Sequence, residues 1–583
     1  MSKLSNAVKE TRKNELQEKK NIETKKVVNF MGGDSFELNA LDTLKMVTTS
    51  SIFGEPSYYR NGEFEKTNVE KSSIVTDGIW HNVPTDIFGF ISFPEFENKK
   101  TSEIMESAID NALAENFGAV LVWAKTLRKD YLMRLNPQVI MVRAAMHPMR
   151  EEWTKNHLGE FGKINDEVMS RADDVVSQLT YWLYINGSKN NIPTILKRSW
   201  AKRLERMTRY EISKYKNKGI GLVDTVRISH ANCEKNEDLL ELMKLKKGQA
   251  LSMEDSDLTW ERLRSSGKSW VEILDTIKMP HMALLRNLRV IFKEVDDTEL
   301  ATKVVDLLVS GVKTGKQFPF RYMSASKAVS KSKTVNNKPI LLDGLESCLD
   351  KACENLPKLK GKNAFLSDNS GSAWGSFTSE YGTVTVAEIG NLSSFIGAVN
   401  SDEGYVFAFG DRLIEAPAFK RQGILSQANQ FSKKARDTVG GGTENGIWLF
   451  FKEAINNKQH WDNIFIYSDM QAGHGGLYGT YAGRSEYSSL GFSCTNWDRN
   501  EHTGVWKEGY SSHYINVAKL VEEYRKKVNP KVNVYCVQTA GYDNMVLPEN
   551  SYRANFMYGW TGKELVYANA MNKFWDEKDK EKQ

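Results

Sequence analysis

The periodicity of the apolar residues changes once along this chain, between about Ser324 and Pro339, and that change limits the architectures open to it. Upstream, Ile104, Ala108, Leu113 and Phe117 keep one face of a helix apolar. The pattern continues through 121–131, 137–146, 172–184, 195–209, 239–243, 270–277, 282–292 and 300–312. Short Gly, Pro or Asn breaks separate these runs and no strand pattern intervenes, which predicts a domain of many short helices. Stacked antiparallel pairs of the α-solenoid kind suit this order; without a sharp internal repeat, an irregular all-α domain is the alternative. Downstream, strand signals at 363–367, 405–409, 463–467 and 532–537 alternate with helical runs at 384–399, 424–439, 447–455, 515–528 and 562–574. Alternation of this kind predicts a mainly parallel sheet covered on both faces. At 583 residues the chain is too long for one ordinary core. The expected division is a tail at 1–26, a helical domain at 27–338 and a sheet domain at 339–583.

The first downstream strand runs into Asp368-Asn369-Ser370-Gly371-Ser372. One carboxylate and two hydroxyls at alternate positions of a tight turn are oxygen donors suited to a hard cation such as Mg²⁺. Thr443 follows the glycines 440–442 at a helix start, and Asp469 closes the strand at 463–467. Ligands of a doubly wound sheet gather beyond the carboxyl ends of its strands, so Asp368, Ser370, Ser372, Thr443 and Asp469 are predicted to converge on one divalent cation. Their order resembles the metal-ion-dependent adhesion site of von Willebrand factor A domains. That resemblance implies direct ligation by the serines and threonine, aspartates acting largely through water, and one position left for an acidic group of a partner. The segment 472–513, rich in Gly, Tyr, Ser and Trp, follows this site directly and reads either as a lid or as a structural excursion.

Other chemistries are excluded residue by residue. The stretch Gly311 to Gln317 is one residue short of a phosphate loop and ends in Gln, and Gly267-Lys268-Ser269 has Arg262 where the first glycine belongs. Ser370 occupies the place of the second carboxylate of a phosphoryl-accepting aspartate. His474, Cys494, His502 and His513 lack zinc spacing. With no nucleophile and base in recognisable order, no enzymatic activity is expected. Five cysteines without a CxxC pair read as reduced thiols. No signal-peptide pattern is present and no uncharged run approaches the roughly 20 residues of a membrane span, so a cytoplasmic protein without membrane contact is expected.

The formal charge of +5 is modest, so any nucleic-acid reading rests on where the basic residues cluster. They concentrate in 189–227, where Lys197, Arg198, Lys202, Arg203, Arg206, Arg209, Lys214, Lys216 and Lys218 face only Glu205 and Glu211 up to position 218. On a helix through 195–209, Arg198, Lys202, Arg206 and Arg209 fall on or near one face, a strip suited to phosphates; a solvated face is the bland alternative. Trp200, Tyr210 and Tyr215 add planar groups for unpaired bases, or core.

Four stretches of the helical half, 135–148, 191–198, 279–288 and 318–322, resemble in order the TROVE domain of the Ro autoantigen family, and the A-type domain follows them as it does there. The resemblance covers about residues 100–583. It implies a closed ring of HEAT-like helical repeats followed by a doubly wound, Rossmann-like von Willebrand factor A domain. It also implies binding of small structured non-coding RNA on the outer ring surface, binding of misfolded RNA by its single-stranded 3′ end in the ring, and a role in scaffolding or sorting RNA for quality control or decay. Lys214, Lys218, Arg227 and His230 match the family's RNA-contacting stretch, although Lys218 stands where some relatives have Arg and the connector is one residue shorter. His230 suits a helix cap equally well. Bacterial relatives imply an exoribonuclease such as polynucleotide phosphorylase as a partner. The opposing reading is a metal-dependent protein-interaction adaptor whose helices bind protein.

Overall fold

A computed structural model describes residues 26–28, 34–50, 71–76, 79–84, 101–215, 221–245, 259–295, 297–354, 356–375, 384–440, 444–470, 517–539, 544–548, 551–559, 562 and 564–581. The expected tail up to residue 25, the segment 472–513, and Lys216, Lys218 and Thr443 lie outside the described residues. The chain forms two compact units, Ala40–Asn68 with Asn98–Pro280, and Met1–Asn39 with Val69–Glu97 and His281–Gln583.

The first unit is helical, with no strand among its described residues. Its helices start where the sequence supplies donors and caps. Asn116 accepts from the Ala119 amide before Phe117–Lys129, Pro137 opens Asn136–Met146, and Asn236 accepts from the Leu239 amide before Glu237–Lys244. Ser269, part of the rejected phosphate-loop pattern, is an N-cap whose hydroxyl and the Glu272 carboxylate form a capping box for Trp270–Thr276. Successive helices pack on one another: Phe117–Lys129 on Asn136–Met146 and Glu160–Val168, Asn136–Met146 on Ala172–Asn186, and both Ala172–Asn186 and Glu160–Val168 on Thr194–Leu204. A buried polar knot ties these together. Gln178 Nε2 donates to Gln138 Oε1 (2.8 Å) and Asn165 Oδ1 (2.7 Å), while Trp200 Nε1 donates to Gln178 Oε1 (2.7 Å). Arg128, also buried, donates to Asp174 at 2.6 Å and to the Met133 carbonyl at 2.9 Å. Each buried donor in the knot thus finds an acceptor, the condition under which polar groups are tolerated in a core.

The second unit is built on a six-stranded sheet. Its strands are β5 (Leu359–Asp368), β6 (Ser401–Phe409), β7 (Leu413–Pro417), β8 (Asn463–Ser468), β9 (Asn533–Gln538) and β11 (Ala554–Tyr558) in the order β11-β9-β8-β5-β6-β7. All pairings are parallel except that of β7, which is antiparallel at the edge. A separate small antiparallel sheet joins β1 (Lys26–Val28), β2 (Asp34–Glu37) and β10 (Asn544–Met545), and β3 (Lys71–Thr76) pairs with β4 (Ile79–Pro84). Helices cover both faces of the main sheet. Phe365 stacks on Phe465 and Phe465 on Tyr535 on the side where Tyr535 Oη donates to the Ala568 carbonyl of Glu564–Glu581. Phe407, Phe450, Trp461 and Tyr524 fill the side of Glu444–Asn456 and Val517–Lys527. Helix Val386–Val399 lies so close that a Cβ on Gly397 would sit 2.2 Å from the Phe365 ring, and only glycine fits there. Helices His281–Glu294, Thr298–Gly315, Pro319–Lys331 and Lys338–Cys353 belong to the same unit.

The strand order fixes where a site can form. β5 is followed by β6 on one side and flanked by β8 on the other, so successive connections leave in opposite directions and open a crevice at the carboxyl ends of β5 and β8.

Candidate functional sites

Asp368 ends β5 and Asp469 follows β8, which places the two carboxylates at that crevice. Both are buried, at 2 % and 5 % exposure. Asp368 Oδ1 accepts from the Ser370 amide at 2.9 Å and Oδ2 from the Ser468 hydroxyl at 2.7 Å. Ser372 Oγ donates to Asp469 Oδ2 at 3.0 Å and lies 3.1 Å from Ser370 Oγ. The structure therefore brings Asp368, Ser370, Ser372 and Asp469 into one cluster, to which Ser468 adds a hydroxyl. Burial and the neighbouring Asp469 carboxylate raise the Asp368 pKa well above the ordinary carboxylate range. Two buried like charges with hydroxyls between them are the electrostatic situation that a cation relieves. The donors are all oxygen, as Mg²⁺ prefers, so the residues present fit such an ion. Among the described residues no group of three or more His, Cys, Asp or Glu is placed to hold a metal.

The basic stretch divides into residues with acidic partners and residues without. Helix Thr194–Leu204 stops five positions before Arg209, so the expected single strip through 195–209 is not formed. Met207 turns into the core, Asn236 Nδ2 donates to the Glu205 and Met207 carbonyls (3.3 and 2.8 Å), and Thr208 and Glu211 start a new helix. Arg203 is buried against Glu211 at 2.7 Å, Arg206 pairs with Asp166, and Arg209 donates to Asp238 and Glu241 at 2.6 and 2.8 Å. These three guanidiniums are occupied by intramolecular carboxylates. Trp200 is wholly buried in the polar knot and is core, not a stacking surface. Lys214 lies over the Tyr210 ring and donates to its hydroxyl at 3.2 Å. By contrast, exposed Arg198 and Lys202, half-buried Lys197 and exposed Arg227 make no side-chain polar contact with another described residue. Arg198 and Lys202 are four residues apart on one helix and so share its outer face. Helix Leu222–Ser229, which carries Arg227, packs on Thr194–Leu204. His230 is its C-cap in the left-handed conformation (φ 58°), with an exposed side chain. Its cap role and its availability to a ligand coexist.

Residues 119–349 match the family model described as TROVE domain. The chain carries a TROVE domain over these residues. The Ro-family resemblance read from its sequence is thereby borne out. The fold agrees: a solved structure described as the crystal structure of Deinococcus radiodurans RO (RSR) protein superposes with a TM-score of 0.51 over 80 % of this chain and 93 % of that one, at 13 % identity. No curated protein sequence matches the chain. No described helix is long and apolar enough to cross a membrane.

All of the basic residues discussed lie inside the TROVE match, and the carboxylate–serine cluster lies beyond its end. Sequence reasoning missed three residues of that cluster's surroundings. Ser468 was visible as the neighbour of Asp469, but only the pairing of β5 with β8 shows that its hydroxyl reaches Asp368. Asn369 and Asn391, both wholly buried, carry no sequence signal beyond being polar residues in apolar surroundings.

Proposed function

We propose that the chain is a non-enzymatic RNA-binding protein of the Ro type that scaffolds or sorts small non-coding RNA. The observation that supports this most directly is the division of the basic stretch. Within the TROVE domain, Lys197, Arg198, Lys202 and Arg227 have no acidic partner among the described residues, while Arg203, Arg206 and Arg209 beside them are held by carboxylates. Unpaired cations on adjoining helices serve a phosphate backbone, and Leu222–Ser229, capped by His230, packs on the helix that carries the other three. In this reading the helices close into a HEAT-like ring whose centre accepts a single-stranded 3′ end while a folded, Y-like RNA lies outside. An exoribonuclease such as polynucleotide phosphorylase is then a fitting partner. The sheet unit is a von Willebrand factor A domain in which Asp368, Ser370, Ser372, Thr443 and Asp469 hold Mg²⁺. The ion supplies a Lewis-acidic binding position for an anionic group. The protein's own part is to keep the hydroxyls and carboxylates converged and largely dry.

The test uses a short hairpin RNA with a 3′ overhang and measures affinity against salt. Replacing Lys197, Arg198 and Lys202 together with Ala is expected to weaken binding and to lower the slope of log affinity against log salt by about one for each residue replaced. Arg206→Ala, whose guanidinium is already engaged by Asp166, is expected to leave the slope nearly unchanged. A triple variant with the wild-type slope returns these residues to a solvated face. Absence of any RNA binding by the wild type favours the adaptor reading.

A further inference from the structure

Asn369 stands between Asp368 and Ser370, yet its side chain leaves the cluster. Its Nδ2 donates to Asn391 Oδ1 at 2.9 Å and to the Ser367 carbonyl at 3.0 Å, and Asn391 Nδ2 returns a hydrogen bond to Asn369 Oδ1 at 3.0 Å. Asn391 Nδ2 also donates to Ser432 Oγ at 3.0 Å. Both asparagines are 0 % exposed and Ser432 is 5 % exposed. The Asn369 backbone amide in turn donates to the Phe409 carbonyl at 2.8 Å, fixing the peptide to the end of β6. A reciprocal amide pair sets two hydrogen bonds in one plane, so neither partner can slide without breaking both. Burying three polar groups costs stability unless every one is paired, and an apolar pair of the same size would pack there without that condition. What the polar pair adds is position. Asn369 is bonded on either side to Asp368 and Ser370, so its amide sets where their oxygens point.

We infer that Asn391, supported by Ser432, is a positioning residue that holds the loop 368–372 in the geometry a cation requires; this rests on reading that loop as a cation site. The reach of the device extends further. Asn391 lies on Val386–Val399 and Ser432 on Ile424–Thr438, and the first turn of the latter is capped from Lys338–Cys353. Glu346 accepts from the Leu425 and Ser426 amides at 2.6 and 2.9 Å, and Asp350 from the Ile424 amide at 3.2 Å. The loop is thus anchored, through two helices, to a helix that the TROVE match enters.

The test titrates the full chain with Mg²⁺ and, separately, Ca²⁺ by calorimetry, with thermal unfolding followed in parallel. Asn391→Leu is expected to weaken Mg²⁺ binding tenfold or more and to change the Mg²⁺ to Ca²⁺ affinity ratio, because displaced oxygens alter the size of ion they suit. The double variant Asn369→Val with Asn391→Leu removes the orphaned amide; it is expected to recover thermal stability while binding stays weak and the ratio stays altered. Ser432→Ala is expected to weaken binding severalfold and Ser432→Thr to restore it. A double variant with wild-type affinity and ratio overturns the inference while leaving the cation site standing. A wild-type chain that binds neither ion overturns the cation reading itself and the inference with it.

Discussion

His281 shows how a single buried side chain acquires a pH dependence. It opens His281–Glu294 and is wedged against Thr298–Gly315 where Gly311 and Gly315 leave room, since a Cβ there would lie 2.8 and 2.6 Å from ring atoms. Its Nε2 lies 3.0 Å from the Tyr322 hydroxyl, and its Nδ1 is buried without a partner among the described residues. Burial pushes the imidazole below its ordinary 6.5. The unfolded chain therefore takes up the proton first as pH falls, so the stability contributed by the neutral ring is complete above about 6.5 and declines below it. Urea unfolding at pH 7.5 and pH 5 is expected to show a smaller loss on acidification in His281→Gln than in the wild type; equal losses would exclude His281 as the source. The same scale explains what the sequence withheld about the basic stretch. Composition counts Arg203, Arg206 and Arg209 as free charges, but their partners Glu211, Asp166, and Asp238 with Glu241 lie 8 to 40 positions away. Lys197, Arg198 and Lys202 differ from them only in what the fold brings near.

Elements were readable wherever their apolar period was unbroken. Asn363 to Ser367 predicted the core of β5, and 463–467 all but the last residue of β8 (Asn463–Ser468). β7, Leu413–Pro417, escaped because an edge strand half open to solvent carries no apolar run. β11, Ala554–Tyr558, is short and contains Asn555, a buried residue that accepts from Trp575 Nε1 at 2.8 Å. The break in 195–209 did leave a signal: Thr208-x-x-Glu211 is a capping-box spacing, and in the structure the Thr208 amide and Glu211 carboxylate bond at 3.1 Å. Gln178 of Ala172–Asn186 serves Gln138, Asn165 and Trp200 on three other helices. Gln178→Leu keeps the volume but leaves the Trp200 indole N–H and two amide oxygens unpaired in a dry core. At about 1–3 kcal/mol for each unsatisfied group, the expected loss is roughly 3 kcal/mol or more. Tryptophan fluorescence on chemical unfolding would measure it, and a loss below about 1 kcal/mol would mean that water replaces the glutamine.

At the scale of the whole molecule, the TROVE match ends at residue 349, inside Lys338–Cys353, yet that helix belongs to the compact unit of the sheet. Its apolar face, Leu341, Leu345, Cys348 and Leu349, is buried, and it packs on Thr298–Gly315, Pro319–Lys331 and Ile424–Thr438. Its acidic face holds Glu346 and Asp350 against the first turn of Ile424–Thr438, where carboxylates are favoured by the unpaired amides and the helix dipole. Gly423 lets them approach, since a Cβ there would sit 2.3 Å from the Glu346 carboxyl carbon. Lys327 of Pro319–Lys331 likewise pairs with Glu388, which is part of the capping box of Val386–Val399. The helices 281–353 therefore act as a structural part of the sheet unit. A fragment comprising 281–583 is expected to unfold in one cooperative transition. One comprising 354–583 loses two caps at about 1 kcal/mol each and the burial of several leucines at about 1.5–3 kcal/mol each. That sum is comparable to the whole stability of an ordinary domain, about 5–15 kcal/mol, so the shorter fragment is expected to show a broad transition or none. Calorimetric scans of both fragments decide the matter: a sharp transition at the same temperature in the shorter one would show that the sheet stands without these helices.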